Sequence, residues 1–149
     1  IDAGEGVLFS FKYQPGTMGI MLSRNDWDSP QYQRWLFQAG NNDWEMSTLK
    51  GAQGNESQTY SRVTLKPGQW YYLVFRVNGD GSFDTWVWEH GNPSSYKLQY
   101  HGEPYSGQWT GSGWGFLCDV YNGSIETDFF WKLDFPAGFM MPDVPPRME

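Results

Sequence analysis

Cysteine is almost missing from this chain. Cys118 is the only one among 149 residues, so no disulfide can close within the chain and the residue does not reveal a redox compartment. It falls in an apolar stretch and reads as a small buried hydrophobe. Histidine is nearly as scarce. His90 and His101 are the only two, and neither lies beside a nucleophile elbow, which weighs against serine or cysteine catalysis with a histidine base. No Cys/His cluster has zinc-ligand spacing. Ala, Leu and Lys, the usual helix material, are sparse. No apolar run is long enough for a membrane-spanning helix, and neither a signal peptide nor a start methionine is present. The chain opens at Ile1 as if cut from something larger, the pattern expected of one module in a multidomain extracellular protein. Positive charge is also short: Lys and Arg number 10 against 17 Asp and Glu, a net charge of -7. That balance disfavours nucleic acid and anionic membranes, and it fits a soluble protein with a neutral partner.

Aromatics fill the gap. They make up 19% of the chain, with 9 Trp, 9 Tyr and 10 Phe, and 18 Gly and 9 Pro supply turns. This composition points to an all-β protein of many short strands. The length fits one domain, with a core that needs no metal or disulfide staple. The clearest element is Trp70 to Glu89, WYYLVFRVNGDGSFDTWVWE. An aromatic and β-branched run and an alternating run flank Asn78-Gly79-Asp80-Gly81, whose residues tolerate the positive φ of tight turns, so the stretch reads as a hairpin.

Other alternating runs follow the same logic. Val7 to Tyr13 places Val7, Phe9, Phe11 and Tyr13 on one face. Strands are expected at Met18 to Arg24, at Gln33 to Gln38, from Trp44 through Thr48, at Thr59 to Leu65 and at Tyr96 to Tyr100, with Lys50 to Ser57 and Gly102 to Gly113 as loops. Trp114 to Tyr121 and Ile125 to Phe135 close the set around a second Asn122-Gly123 turn. The last strand is expected to put Ile125, Thr127, Phe129, Trp131, Leu133 and Phe135 on one face. About ten strands without a helix or a fixed repeat lead to a two-sheet antiparallel β-sandwich. The sandwich is expected over residues 1–135, and residues 136–149, rich in proline, read as a tail or linker.

The segment LKPGQWYYLVFRVNGDGSF, from Leu65 to Phe83, resembles part of the laminin-G-like and concanavalin A-like jelly rolls, where a proline-glycine turn precedes a tryptophan strand and a glycine hairpin. GWGFLCDVYNGSIETDFFWKLDF, from Gly113 to Phe135, is similar to the last two strands of that superfamily. The resemblance implies a jelly roll of the carbohydrate-binding-module type. Lectins, binding modules, adhesion domains and some glycoside hydrolases share that fold, so it does not settle function.

A glycosidase of this kind would need two flanking carboxyls. Glu126-Thr127-Asp128 matches the first half of a Glu-x-Asp pattern, but Phe129, Phe130 and Trp131 follow where a second Glu is required. The reading is therefore a non-enzyme. The superfamily often carries a structural calcium ion, and Asp2, Glu5 and Asp128 are the expected oxygen ligands. Asn78, Asp80, Ser82, Asp84 and Glu89 match an EF-hand only superficially, since Phe83 stands at the glycine position.

Sugar rings present apolar C–H faces that stack on Trp and Tyr, while polar side chains bind their hydroxyls. If Tyr71, Leu73, Phe75 and Val77 form the core face, Tyr72 and Arg76 face outward. Trp86 and Trp88 alternate with Asp84 and His90 into a mixed face. The expected ligand-binding set is Trp86, Trp88, Tyr72, Arg76, Asp84 and His90, with Trp27 and Trp109 from the rim. The expected activity is non-catalytic binding of a neutral polysaccharide such as a β-glucan. The alternatives are an adhesion domain with a protein partner and, more weakly, a small hydrolase or lyase.

Overall fold

The computed structural model describes residues 1–14, 20–24, 31–39, 44–52, 55–102, 114–117 and 124–136. Among the described residues there are ten strands: β1 (Glu5–Tyr13), β2 (Ile20–Arg24), β3 (Gln31–Ala39), β4 (Trp44–Ala52), β5 (Asn55–Val63), β6 (Tyr71–Val77), β7 (Phe83–Glu89), β8 (Asn92–Gly102), β9 (Trp114–Leu117) and β10 (Ile125–Asp134). They form two five-stranded sheets, ordered β10-β1-β6-β7-β8 and β5-β4-β3-β2-β9. All described pairings are antiparallel. The chain leaves the first sheet after β1, builds four strands of the second, returns for β6 to β8, visits the second again with β9 and ends beside its own beginning with β10. The sheets approach one another where β4 and β5 run past β8. The fold is the all-β, two-sheet antiparallel sandwich that the alternating runs anticipate.

The central hairpin forms as its residues dictate, with Tyr72 opposite Trp88, Val74 opposite Trp86 and Arg76 opposite Asp84. Its turn uses a different glycine from the one that the Asn-Gly pair suggests. Gly81, at φ 85°, takes the left-handed conformation. The amide of Gly81 donates to Asn78 O at 3.0 Å, and the amide of Asn78 donates to Ser82 O at 2.7 Å. Side chains complete the turn: Asn78 Nδ2 donates to Ser82 Oγ and Asp84 Oδ2, and Ser82 donates from both N and Oγ to Asp80 Oδ1. The oxygen-bearing residues at 78, 80, 82 and 84 thus bond to one another.

Several strand ends shift by a residue or two from the sequence reading, and two boundaries shift further. Lys50 to Ser57 is not simply a loop. β4 continues to Ala52 and β5 begins at Asn55, and the two pair as far as Ala52 opposite Asn55. Polar residues with little alternation are tolerated there because the ladder, not side-chain burial, defines the strands. β8 begins at Asn92, paired with Glu89 across His90-Gly91, rather than at Tyr96.

A third difference matters for function. The register of β1 against β10 runs Phe9 to Phe130 and then Phe11 to Thr127, so a bulge adds one residue to β10. A bulge reverses which side chains face which way. Ile125 therefore packs on the first core cluster, while Phe129, Leu133 and Phe135 pack on the second. The single face expected for Ile125 through Phe135 is split in two.

The first sheet is apolar on both faces. One face carries Val7, Phe9, Phe11, Leu73, Phe75, Val77, Phe83 and Val87, all buried. The other carries Leu8, Val74, Trp86 and Trp88. Gly102 sits opposite Phe83, whose ring fills the space that a β-carbon at Gly102 would need. Trp27, Trp109, Cys118, the Asn122-Gly123 turn and residues 137–149 lie outside the described residues, as does any test of the tail reading.

Candidate functional site

The second face of the first sheet holds the residues singled out from the sequence, and it divides them. Trp86 and Trp88 do share this face with Tyr72, as period-two alternation requires. They are not exposed platforms. Trp86 is 9% exposed and Trp88 is 3% exposed. Tyr72, Tyr96, Phe129, Leu133 and Phe135 pack around them, so long side chains from the neighbouring strands close over the centre of the sheet. Both tryptophans belong to a core cluster and form the floor beneath the surface.

Arg76 and Asp84 face each other at one end of this face. The Arg76 guanidinium lies 4.9 Å from the centre of the Phe135 ring. Asp84 accepts from Asn78 Nδ2 at 2.9 Å and is 2.6 Å from His101 Nδ1. These contacts commit Asp84 to the hairpin turn and separate it from the aromatic group at the other end.

That other end contains Tyr72 and His90. Their rings stack with centroids 3.7 Å apart, and Trp70 stacks on His90 at 6.0 Å. The local chain course explains the arrangement, because the His90 amide donates to Trp70 O at 3.1 Å just beyond the ends of β6 and β7. Ser10, fully buried on β1, is hydrogen-bonded through Oγ to His90 Nε2 at 3.1 Å. Burial holds the His90 imidazole below its ordinary pKa of 6.5, and the nearby Asp128 charge pulls the other way. His90 is therefore neutral at pH 7, a ring fixed by stacking and by Ser10.

The row continues toward the edge strand. Tyr72 lies 6.1 Å from Phe129, and Phe129 lies 4.5 Å from Trp131. Trp131 is 48% exposed, on a strand that has no sheet neighbour on its outer side among the described residues. The result is a track of five rings, Trp131–Phe129–Tyr72–His90–Trp70, that crosses from β10 to the start of the central hairpin. Charged groups border it. Lys12 Nζ lies 4.9 Å from the Trp70 ring centre and 3.0 Å from Glu126 Oε2. Glu126 and Asp128 are exposed. Such a surface offers flat apolar stacking faces next to hydrogen-bonding groups.

The sequence reading identified Tyr72 and His90 in this track. It left Trp70 out, and it placed Phe129 and Trp131 on one face with Ile125 and Thr127 without assigning them to the site. The signal for the latter was present: Phe129-Phe130-Trp131 is an unbroken aromatic run, which strict alternation does not produce. The expected calcium ligands are not assembled. Glu5 Oε1 is 2.7 Å from Lys132 Nζ, and Glu5 Oε2 accepts from the Asp2 amide at 2.8 Å. Glu5 is paired with Asp134, six residues along β10 from Asp128. Among the described residues, no three His, Cys, Asp or Glu side chains are grouped to hold a metal.

No protein-family model matches the chain, and no curated protein matches its sequence. Its fold is similar to solved structures. One is the carbohydrate-binding module CBM66 from Bacillus subtilis, with a TM-score of 0.57 and 14% identity over 89% of this chain and 76% of that one. At this identity the likeness is one of fold, and it agrees with the β-sandwich described above.

Proposed function

We propose that the chain is a non-catalytic carbohydrate-binding module that holds a neutral polysaccharide, such as a β-glucan, along the track from Trp131 to Trp70. One observation carries the reading: an exposed tryptophan on an edge strand begins a continuous row of rings bordered by Lys12, Glu126 and Asp128. Pyranose C–H faces stack on such rings, and the charged groups accept or donate hydrogen bonds to ring hydroxyls. The fold shared with a carbohydrate-binding module supports this reading. The chain would act as one part of a larger extracellular polysaccharide-active protein, where it supplies attachment rather than chemistry.

Affinity electrophoresis in gels containing soluble polysaccharides tests the proposal. The protein should be retarded by at least one neutral glycan, and Trp131→Ala should lose most of that retardation while melting as the parent does. Absence of retardation by every glycan, or full retardation of both Trp131→Ala and Tyr72→Ala, would reject it and favour a protein-binding face. Release of reducing ends by the parent would favour a hydrolase.

A further inference from the structure

On the opposite face of the same sheet, a cavity of about 370 Å³ opens between the segment after β5 and the β7–β8 edge. Its size falls in the range of about 300–1,000 Å³ usual for small-ligand sites. Its lining includes Lys66, Tyr71, Glu89, Ser94, Ser95 and Lys97. The local fold explains the opening. Val87 pairs with Lys97, but Glu89 pairs with Asn92, so the β7–β8 register slips and residues 93–96 bow away from the ladder. Hydrogen bonds fix the bowed segment. Ser95 Oγ accepts from the Glu89 amide at 2.8 Å and donates to Asn92 O at 2.7 Å, and Ser94 Oγ donates to Asn92 Oδ1 at 2.6 Å.

The polar groups are arranged asymmetrically. Tyr71 is 5% exposed, and its hydroxyl accepts from the Lys66 amide at 2.9 Å. The phenolic proton is thus left to donate, and burial raises the Tyr71 pKa, so the proton stays in place at neutral pH. Glu89 accepts from Asn92 Nδ2 at 3.2 Å. Lys12 and Lys132 have carboxylate partners, whereas the ammonium groups of Lys66 and Lys97 have none among the described residues. A chain of net charge -7 therefore keeps, among the described residues, two cations without a carboxylate partner and a buried hydroxyl donor around one cavity. A cavity of this kind suits a ligand that bears an anion beside several hydroxyls.

We infer that this cavity is a second saccharide site, separate from the aromatic track, and that it takes a sugar acid. The carboxylate of a hexuronate lies between Lys66 and Lys97, Tyr71 donates to it or to a ring oxygen, and Glu89 accepts from sugar hydroxyls. Charge-assisted hydrogen bonds to a carboxylate are stronger than neutral ones, so the acid should be preferred over its neutral counterpart.

The test is calorimetric titration with glucuronate and galacturonate, their short oligomers, the corresponding neutral sugars and sodium sulfate. At least one sugar acid should bind 10-fold or more tightly than its neutral counterpart. Both lysines are exposed, so Lys97→Met and Lys66→Met should keep the melting temperature and each weaken the acid 10-fold or more. Tyr71→Phe keeps the ring and should weaken it several-fold. Trp131→Ala should leave sugar-acid binding unchanged, which separates this site from the track. The inference is overturned if no sugar acid binds at millimolar concentration, if both lysine variants bind as the parent does, or if sulfate binds as tightly as the sugar acids.

Discussion

Trp131 and Trp88 occupy the same face of the same sheet, yet they should respond oppositely to the same substitution. Trp131 is 48% exposed, and Trp88 is 3% exposed with Tyr72 and Tyr96 against its ring. Trp131→Ala should change stability by no more than about 0.5 kcal/mol. Trp88→Ala removes a buried ring and should cost about 3–5 kcal/mol. Chemical denaturation of the two variants, read beside glycan retardation, checks the assignment. A stable Trp88→Ala protein would show that the cluster around it is not a core. Thr85 offers a subtler case. Its hydroxyl is fully buried and has no hydrogen-bond partner among the described residues. An unmet polar group costs desolvation without return, so an isosteric apolar replacement can be neutral or better. Thr85→Val should leave stability unchanged or raise it by about 1 kcal/mol. A loss of more than that in the same denaturation assay would mean that the hydroxyl has a partner after all.

Whole strands explain both the successes and the failures of sequence reading here. Period-two alternation reveals which side chains share a face, so the strand identities and the pairing of Trp86 and Trp88 with Tyr72 were legible. It does not reveal what covers that face. β6 lies between β1 and β7 in the middle of its sheet, and Trp70 to Val77 is apolar almost without alternation, the pattern of a strand covered on both sides. Treating one side as solvent-facing put the two tryptophans on the surface. The β10 bulge was hidden for a different reason, because one inserted residue is visible only against the partner strand. Bulges concentrate at sheet edges and next to binding sites, where they re-aim side chains, and here the bulge turns Phe129 and Trp131 toward the track. The cavity at the β7–β8 slip depends equally on cross-strand register. Gly102 provides a test at this scale. A β-carbon there collides with the Phe83 ring, so Gly102→Ala should destabilise by about 1–3 kcal/mol. Shortening the opposing ring with Phe83→Leu should relieve part of that clash. The double variant should therefore lose less than the sum of the two single losses. Strict additivity in a double-mutant cycle would show that the two residues do not meet.

For the molecule as a whole, the groups with displaced pKa values among the described residues divide into an acid set and an alkaline set. Glu5 is held below its ordinary pKa, chiefly by the hydrogen bond from Lys132, and Asp80 is lowered chiefly by the Ser82 hydroxyl. Both are carboxylates with depressed folded-state values. Their stabilisation is present above the unfolded pKa and is lost as pH falls through the folded one. His90 is lowered by burial, so between its folded value and 6.5 the unfolded chain binds the extra proton. Stability therefore rises with pH across that window, and it falls as pH drops below 6.5. On the alkaline side, Lys132 is raised by Glu5, so its contribution is present below 10.5 and is lost as pH climbs through the folded value. Burial raises Tyr71, so the folded chain keeps a proton that the unfolded chain releases near 10, and stability again declines. The melting temperature should therefore be flat from about pH 7 to about pH 9.5 and fall on either side, first through His90 and then through the carboxylates as acid is added. His90→Gln removes the first acid step and leaves the lower one. Calorimetric melting from about pH 2 to about pH 11 on the parent and this variant distinguishes the two. If the parent were equally stable at about pH 5.5 and about pH 7.5, His90 would not be held neutral by its burial beside Trp70 and Tyr72. The inner part of the aromatic track would then lose the physical basis for its order.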